Sequence, residues 1–280
     1  MRPSLSLIAS LVAVLPFVAA QDASLGITAI QAHFEQSHIV EDYLTDFNPS
    51  AVLDLSYEGV GEVEPGQSLT IDQVRPVPAL AVTPANESVT LDGTYTLAMI
   101  DVDVVGADVS AGVTRHWLVN GVTVQDGVVS TEGANVITPY AGPGPAAGSG
   151  SHRYIIALYA QPEDFTPPEG FAEALPVEAY DFLGYVQAAN LGPLVAANYI
   201  NVEEGEYTGT PVPTSAVVSS TLAPAASGSG AASGSGRPTG SNSGADPEPT
   251  DDADEDGSAI KVASQWAIPA AALVGAVLAL

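Results

Sequence analysis

Seven apolar runs rich in β-branched and aromatic residues, each closed by Gly, Pro or Asp, constrain this chain more than any other feature. They are Val52–Tyr57, Ser68–Ile71, Ala79–Thr83, Tyr95–Val105, Val113–Val124, Tyr154–Ala160 and Leu194–Val202. Short runs of this kind between turn residues read as strands. Only Ala32–Leu44, with Phe34, Ile39, Val40 and Leu44 on one broad face, and Val177–Asn190 offer helical patterns; Pro49 ends the first. Many strands, few helices and no strand–helix alternation predict a mainly β protein, a β-sandwich with a few peripheral helices, rather than a doubly wound sheet.

The two ends of the chain differ from this body. Ser6–Ala20 is almost wholly apolar behind Arg2 and closes on the small residues Val18, Ala19 and Ala20. That pattern predicts a signal peptide over residues 1–20, cut before Gln21. Trp266–Leu280 is apolar to the last residue, and a short mixed spacer separates it from Gly257, Ser258 and Ala259. Small residues, a spacer and an apolar tail make the pattern for a GPI anchor. The expected attachment residue is Gly257 or Ser258, with 258–280 as the removed propeptide. Between them, 209–257 is rich in Ser, Gly, Ala, Thr and Pro and ends in the acidic block Asp246–Asp256. Such a stretch cannot bury enough apolar area to offset its ordering entropy, so it is expected to be a disordered stalk. Residues 21–208 are then one domain.

Charge removes whole classes of partner. The chain has 33 acidic residues against six Lys and Arg, a formal charge of −27. Losing the two ends takes away Arg2 and Lys261 and leaves Arg75, Arg115, Arg153 and Arg237 as the only arginines and lysines. Nucleic acid is excluded as a partner, because phosphate binding needs a basic footprint. Any membrane contact is expected through the GPI lipid alone. With no cysteine, an exported domain cannot lean on disulfides and must rest on its hydrophobic core. Asn86-Glu87-Ser88 is an N-glycosylation sequon in a turn-like stretch, which suits export.

Three features can carry chemistry. His116 lies in Arg115-His-Trp-Leu-Val-Asn120, and His152 follows the Gly/Pro-rich loop Gly142–Ser149. Asp101 and Asp103 stand at the centre of Tyr95–Val105, two apart, so on a continuous strand they face the same way. Two acids in so apolar a run need compensation by solvent, an arginine, a ligand or a metal. Each histidine, taken alone, also reads as a structural residue bonded to one of these acids. Arg115 and Arg153, next to the histidines in sequence, read as ion-pair partners for acids in or under the sheet. Trp117 and Tyr95 read as core.

The order of these features resembles the phosphatidylethanolamine-binding protein (PEBP) family. The Asp-x-Asp strand, the His-aromatic-Leu-Val strand and the loop Tyr140-Ala-Gly-Pro-Gly-Pro-Ala-Ala-Gly-Ser-Gly-Ser-His-Arg-Tyr154 carry the likeness. The stretches Phe47–Tyr57 and Leu69–Leu80 add to it. The resemblance covers nearly all of Gln21–Val202. It implies a PEBP-like antiparallel β-sandwich with a small cavity for a phosphate-like anion or phospholipid head group. Carried over residue by residue, the ligand-binding residues are Asp101, His116, Gly144, Pro145, His152 and Tyr154. Val102 and Val105 stand where the family has prolines, and Ala146 replaces the second proline of the loop.

The expected function is therefore an extracellular, GPI-anchored binding module for a small anion or head group, in a setting that looks like a fungal cell surface. Two alternatives remain beside it: a protease-inhibitor-like protein-interaction domain, and an architectural glycoprotein with a relic pocket. An enzyme is not expected. No Gly-x-Ser-x-Gly or His-Glu-x-x-His occurs, and Asp-x-Asp with one histidine is an incomplete metal set. No cofactor or metal is expected.

Overall fold

The computed structural model describes residues 16–218 and 221–222, all within the first of two compact units, Met1–Gly228. The first 15 residues of the expected signal, the stalk beyond 222, and the attachment site at Gly257 or Ser258 lie outside the described residues. Residues 209–218 of the expected stalk form neither helix nor strand.

Eleven strands and three helices follow one another as α1 (Pro16–Gln36), α2 (Ile39–Asp42), β1 (Ala51–Tyr57), β2 (Gly61–Val63), β3 (Ser68–Leu69), β4 (Ala79–Pro84), β5 (Thr94–Asp101), β6 (Val113–Gln125), β7 (Val128–Ser130), β8 (Asn135–Thr138), β9 (His152–Gln161), β10 (Ala179–Tyr180), α3 (Phe182–Ala188) and β11 (Leu194–Val202). They form one curled sheet in the order β2-β1-β4-β7-β6-β5-β9-β11-β3, with β8 and β10 also on β6. All pairs are antiparallel except β11 with β3. The curl lays β1 and β4 over β5, β6, β9 and β11. The inner faces enclose one apolar cluster, including Leu53, Leu55, Leu97, Met99, Trp117, Ile156 and Leu158.

The outer face of the central strands is covered too. Ile30 and Phe34 of α1 and Phe182 and Tyr185 of α3 pack on Ala98, Ile100, Leu118, Ile155 and Ala157. This explains two hydrophobic rhythms in one sheet. β1 alternates buried and open positions because only one of its faces is covered, whereas β5 and β9 are buried almost end to end. The layers are tied by Asn198, a buried side chain whose Nδ2 donates to the Leu53 carbonyl (2.7 Å).

Three elements differ from the sequence expectation. The helix expected over Ala32–Leu44 is split: α1 ends at Gln36, and His38 takes a left-handed φ of 59° before the single turn of α2. The break frees the Ser37 carbonyl, which accepts from Arg153 Nη1 (2.9 Å). The helix expected over Val177–Asn190 shrinks to α3, because Ala179–Tyr180 pairs with β6 and the Asp181 carboxylate then caps Gly184 N–H (2.8 Å). Finally, β5 stops at Asp101 rather than Val105. Asp103 lies beyond it at a left-handed φ of 62°.

Candidate functional site

The end of β5 explains how the acids are placed. Asp101 Oδ1 accepts the Asp103 N–H (2.7 Å), and Asp103 Oδ1 accepts the Val104 N–H (2.6 Å). These local bonds turn the chain out of the sheet, as Asp side chains do in Asx-type turns. Strand geometry therefore does not align the two carboxylates. They converge on His152 by a different route. His152 Nδ1 lies 2.9 Å from Asp101 Oδ2 and 3.1 Å from Oδ1, while Nε2 lies 3.5 Å from Asp103 Oδ1. The Asp101 and His152 side chains are nearly buried; Asp103 is half exposed.

Val102, between the acids, sinks into the outer core, and its N–H donates to the Arg153 carbonyl (3.0 Å). A proline there could not make that bond. The valine thus extends the β5–β9 ladder by one step beside the site.

His116 is aimed by an irregularity. Met99 faces Trp117 and Ile100 faces Arg115 across the β5–β6 pair, so His116 is the extra residue of a bulge. A bulge re-aims side chains that strict alternation would send elsewhere. His116 Nδ1 donates to the Ala141 carbonyl (2.9 Å), and Ala141 N–H donates back to the His116 carbonyl (2.9 Å). A carbonyl partner places the proton on Nδ1, so Nε2 of a neutral ring is an acceptor. The ring stands edge-on to Tyr154, 5.2 Å between centroids.

The Gly/Pro-rich loop completes the site. Gly142 is required by close approach, since a Cβ there would meet the Val74 carbonyl at 2.6 Å. Pro143 and Pro145 are buried, and Gly144 between them is exposed. At the far end Gly148 N–H donates to the Glu204 carbonyl (2.7 Å), which anchors the loop to the chain leaving β11.

Tyr154, opposite Asp101 across β5–β9, lies under this loop. Its hydroxyl is buried beside the Asp101 carboxylate and the Gly144 backbone but makes no hydrogen bond of good geometry. Burial first, then the Asp101 charge, pushes its pKa up. The phenol is thus a neutral donor set beside the Asp101 carboxylate without a well-aligned bond to it. At His152, burial lowers the pKa, but the bond to Asp101 and the charges of Asp101 and Asp103 outweigh it, and the net shift is upward; Arg153 opposes that rise.

The six residues named from the sequence thus lie in one neighbourhood. Asp101, His152 and Tyr154 touch or face one another, His116 meets Tyr154 edge-on, and the Gly144 backbone, with Pro145 next to it in the loop, lies beside the Tyr154 hydroxyl. Ser149 was missed. Its Oγ lies 2.9 Å from His152 Nε2, and only the spacing Ser149-Gly-Ser-His152 hinted at it. The two arginines are where the sequence reading put them. Arg115 is buried, pairs with Glu178 (3.1 Å) and lies 4.7 Å from the centre of the Tyr180 ring. Arg153 is buried and pairs with Asp42 (2.8 Å). Trp117 and Tyr95 are core, and Asn86 is exposed in a turn after β4.

A cavity of about 690 Å³ opens on the opposite face of β9, lined in part by Ser37, Arg153, Tyr199, Tyr207 and Val212. None of the six named residues lines it. Its one buried cation, Arg153, is already committed to Asp42 and to backbone carbonyls. No group of three or more His, Cys, Asp or Glu suited to a metal occurs among the described residues.

A curled β-sandwich with a histidine–carboxylate site under a Gly/Pro loop is the frame of a binding domain. Residues 46–200 match the family described as phosphatidylethanolamine-binding protein, and the chain belongs to that family. It is 28% identical over 193 residues to an uncharacterised protein of Saccharomyces cerevisiae, covering 63% of this chain and 94% of that one. It is also 28% identical over 163 residues to the carboxypeptidase Y inhibitor of Saccharomyces cerevisiae, covering 46% and 72%. Among solved structures, carboxypeptidase Y inhibitor complexed with its cognate proteinase superposes with a TM-score of 0.54 at 24% identity. That match covers 66% of this chain and 97% of the other, and is a likeness of fold.

Proposed function

We propose that the domain is an extracellular binding module for a phosphorylated head group that also carries an amine. The carrying observation is the buried Tyr154 hydroxyl, left without a partner beside the Asp101–His152 pair. A buried donor left unmet costs roughly 1–3 kcal/mol, so a ligand oxygen that accepts from it recovers that loss. Protonated His152 and the backbone of the Gly-rich loop add positive character for a phosphate. Asp101 and the half-exposed Asp103 leave a local excess of negative charge. That excess disfavours a bare anion and suits a head group whose ammonium sits beside its phosphate.

The test is thermal denaturation with phosphoethanolamine, phosphocholine and inorganic phosphate, since a native-state ligand raises the melting temperature by mass action. Phosphoethanolamine should give the largest rise, and His152→Ala should remove it. Equal rises in wild type and variant would sink the reading. The surface setting belongs to the same proposal. Release of the protein from cells by a phosphatidylinositol-specific phospholipase, and an N-terminus at Gln21 in the released form, are the measurements for it.

The 28% identity to a carboxypeptidase inhibitor supports a second reading, in which the domain docks on a secreted hydrolase. Inhibition of carboxypeptidase Y by the purified domain tests it directly.

A further inference from the structure

Ser149, His152 and Asp101 form a continuous hydrogen-bonded row. Ser149 Oγ lies 2.9 Å from His152 Nε2, and His152 Nδ1 lies 2.9 Å and 3.1 Å from the two Asp101 oxygens. A hydroxyl within reach of an imidazole whose other nitrogen is fixed by a carboxylate is the arrangement that activates serine for attack. Secondary structure and a loop anchor hold it: Asp101 ends β5, His152 opens β9, and the loop carrying Ser149 is tied through Gly148 to Glu204.

We propose that this row is an acyl-transfer centre acting on small carboxylic esters. Ser149 is the nucleophile, His152 the general base and Asp101 the group that orients the ring. Ser149 Oγ bonds to the ester carbonyl carbon and its proton passes to His152 Nε2. The bond from that carbon to the alcohol oxygen breaks, and the alcohol leaves with the proton from Nε2. Water then bonds to the acyl carbon and gives a proton to Nε2. The bond to Ser149 breaks and the proton returns to Oγ. No oxidant, metal or cofactor enters the balance.

Two features set the conditions. Ser149 Oγ is also 2.7 Å from the Ala146 carbonyl, which takes the hydroxyl proton at rest. Turning that proton toward Nε2 moves no heavy atom. His152 must also be neutral to act as base. The groups around its ring are Asp101, Asp103, Tyr154 and, through the sheet, Arg153. The two carboxylates favour the imidazolium, so turnover should rise with pH above the ordinary histidine value of about 6.5.

The row goes beyond the holding of a head group, and the two fail separately. The full-length protein is treated with a fluorophosphonate probe, which loses fluoride when a nucleophilic serine attacks phosphorus, and the adduct is mapped by mass spectrometry. Turnover of p-nitrophenyl acetate is followed in parallel. The expected result is an adduct on Ser149 that disappears in His152→Gln, with turnover reduced roughly 100-fold or more in Ser149→Ala. No adduct, an adduct that persists in His152→Gln, or turnover unchanged in Ser149→Ala overturns the proposal. Ser149→Ala removes a single hydroxyl, so its melting temperature reports a preserved fold. Its response to phosphoethanolamine reads the binding site independently of the chemistry.

Discussion

Strand β9 carries two basic side chains side by side, His152 and Arg153, and sends them to opposite faces of the sheet. On the outer face Arg153 is fully engaged. Its Nε donates to the Asp103 carbonyl, Nη1 to Ser37 and Asp42, and Nη2 to the Val102 and Val104 carbonyls. On the inner face His152 meets two carboxylates and a hydroxyl, next to a buried phenol with no partner. A buried cation whose donors are all met organises structure, here by joining the α1–α2 break to the end of β5. One surrounded by surplus acceptors and an unmet donor can exchange partners. Under the two proposals above, adjacent residues divide architecture from chemistry.

The sharpest way to break this contrast is to remove each side in turn. Arg153→Met strands Asp42 and four carbonyls. It should cost about 3–5 kcal/mol, the usual loss when a buried pair is cut on one side, measured by urea unfolding. If His152→Gln costs as much as Arg153→Met, the division between structural and chemical faces does not hold. Tyr154→Phe comes next. It deletes a hydroxyl that is buried without a bond, so stability should stay level or rise by up to about 1 kcal/mol. The same variant should lose the melting shift with phosphoethanolamine. A marked destabilisation instead would mean the hydroxyl is already satisfied.

The smallest effect is in pH. The folded pKa of His152 lies above its ordinary value of 6.5. Below 6.5 the ring is protonated folded and unfolded, and its pairing with the carboxylates stabilises the fold in full. Above 6.5 the unfolded chain loses the proton first. The contribution fades as pH climbs through the raised folded value. The melting temperature should therefore decline over that window in the wild type, and His152→Gln should lack this component of the decline.

Legibility in the sequence followed how locally each feature is specified. The continuous apolar runs of β5, β9 and β11 announced themselves because both faces of those strands are covered. β7, β8 and β10 did not, since each is two to four residues long and exists by lying along β6. In the site, Asp101, His116, His152 and Tyr154 were visible as residue types around a glycine-rich loop. What stayed hidden depends on single backbone departures. The bulge at His116 and the left-handed turn at Asp103 leave no periodic trace. Nor does the loop turn that sets Ser149 on the imidazole.

By itself the sequence determined that this is a mainly β domain with a cysteine-free core. It also determined a formal charge of −27 and which side chains could do chemistry. Composition and hydrophobic rhythm act residue by residue, so they can be read without the fold. Only the tertiary structure decided that Asp101 and Asp103 meet on one histidine by a turn rather than along a strand. It alone gave Arg153 its carbonyls and left Tyr154 without a partner. Those outcomes rest on contacts between segments some 50 residues apart or more. Such contacts are set by sheet register, which no local pattern encodes.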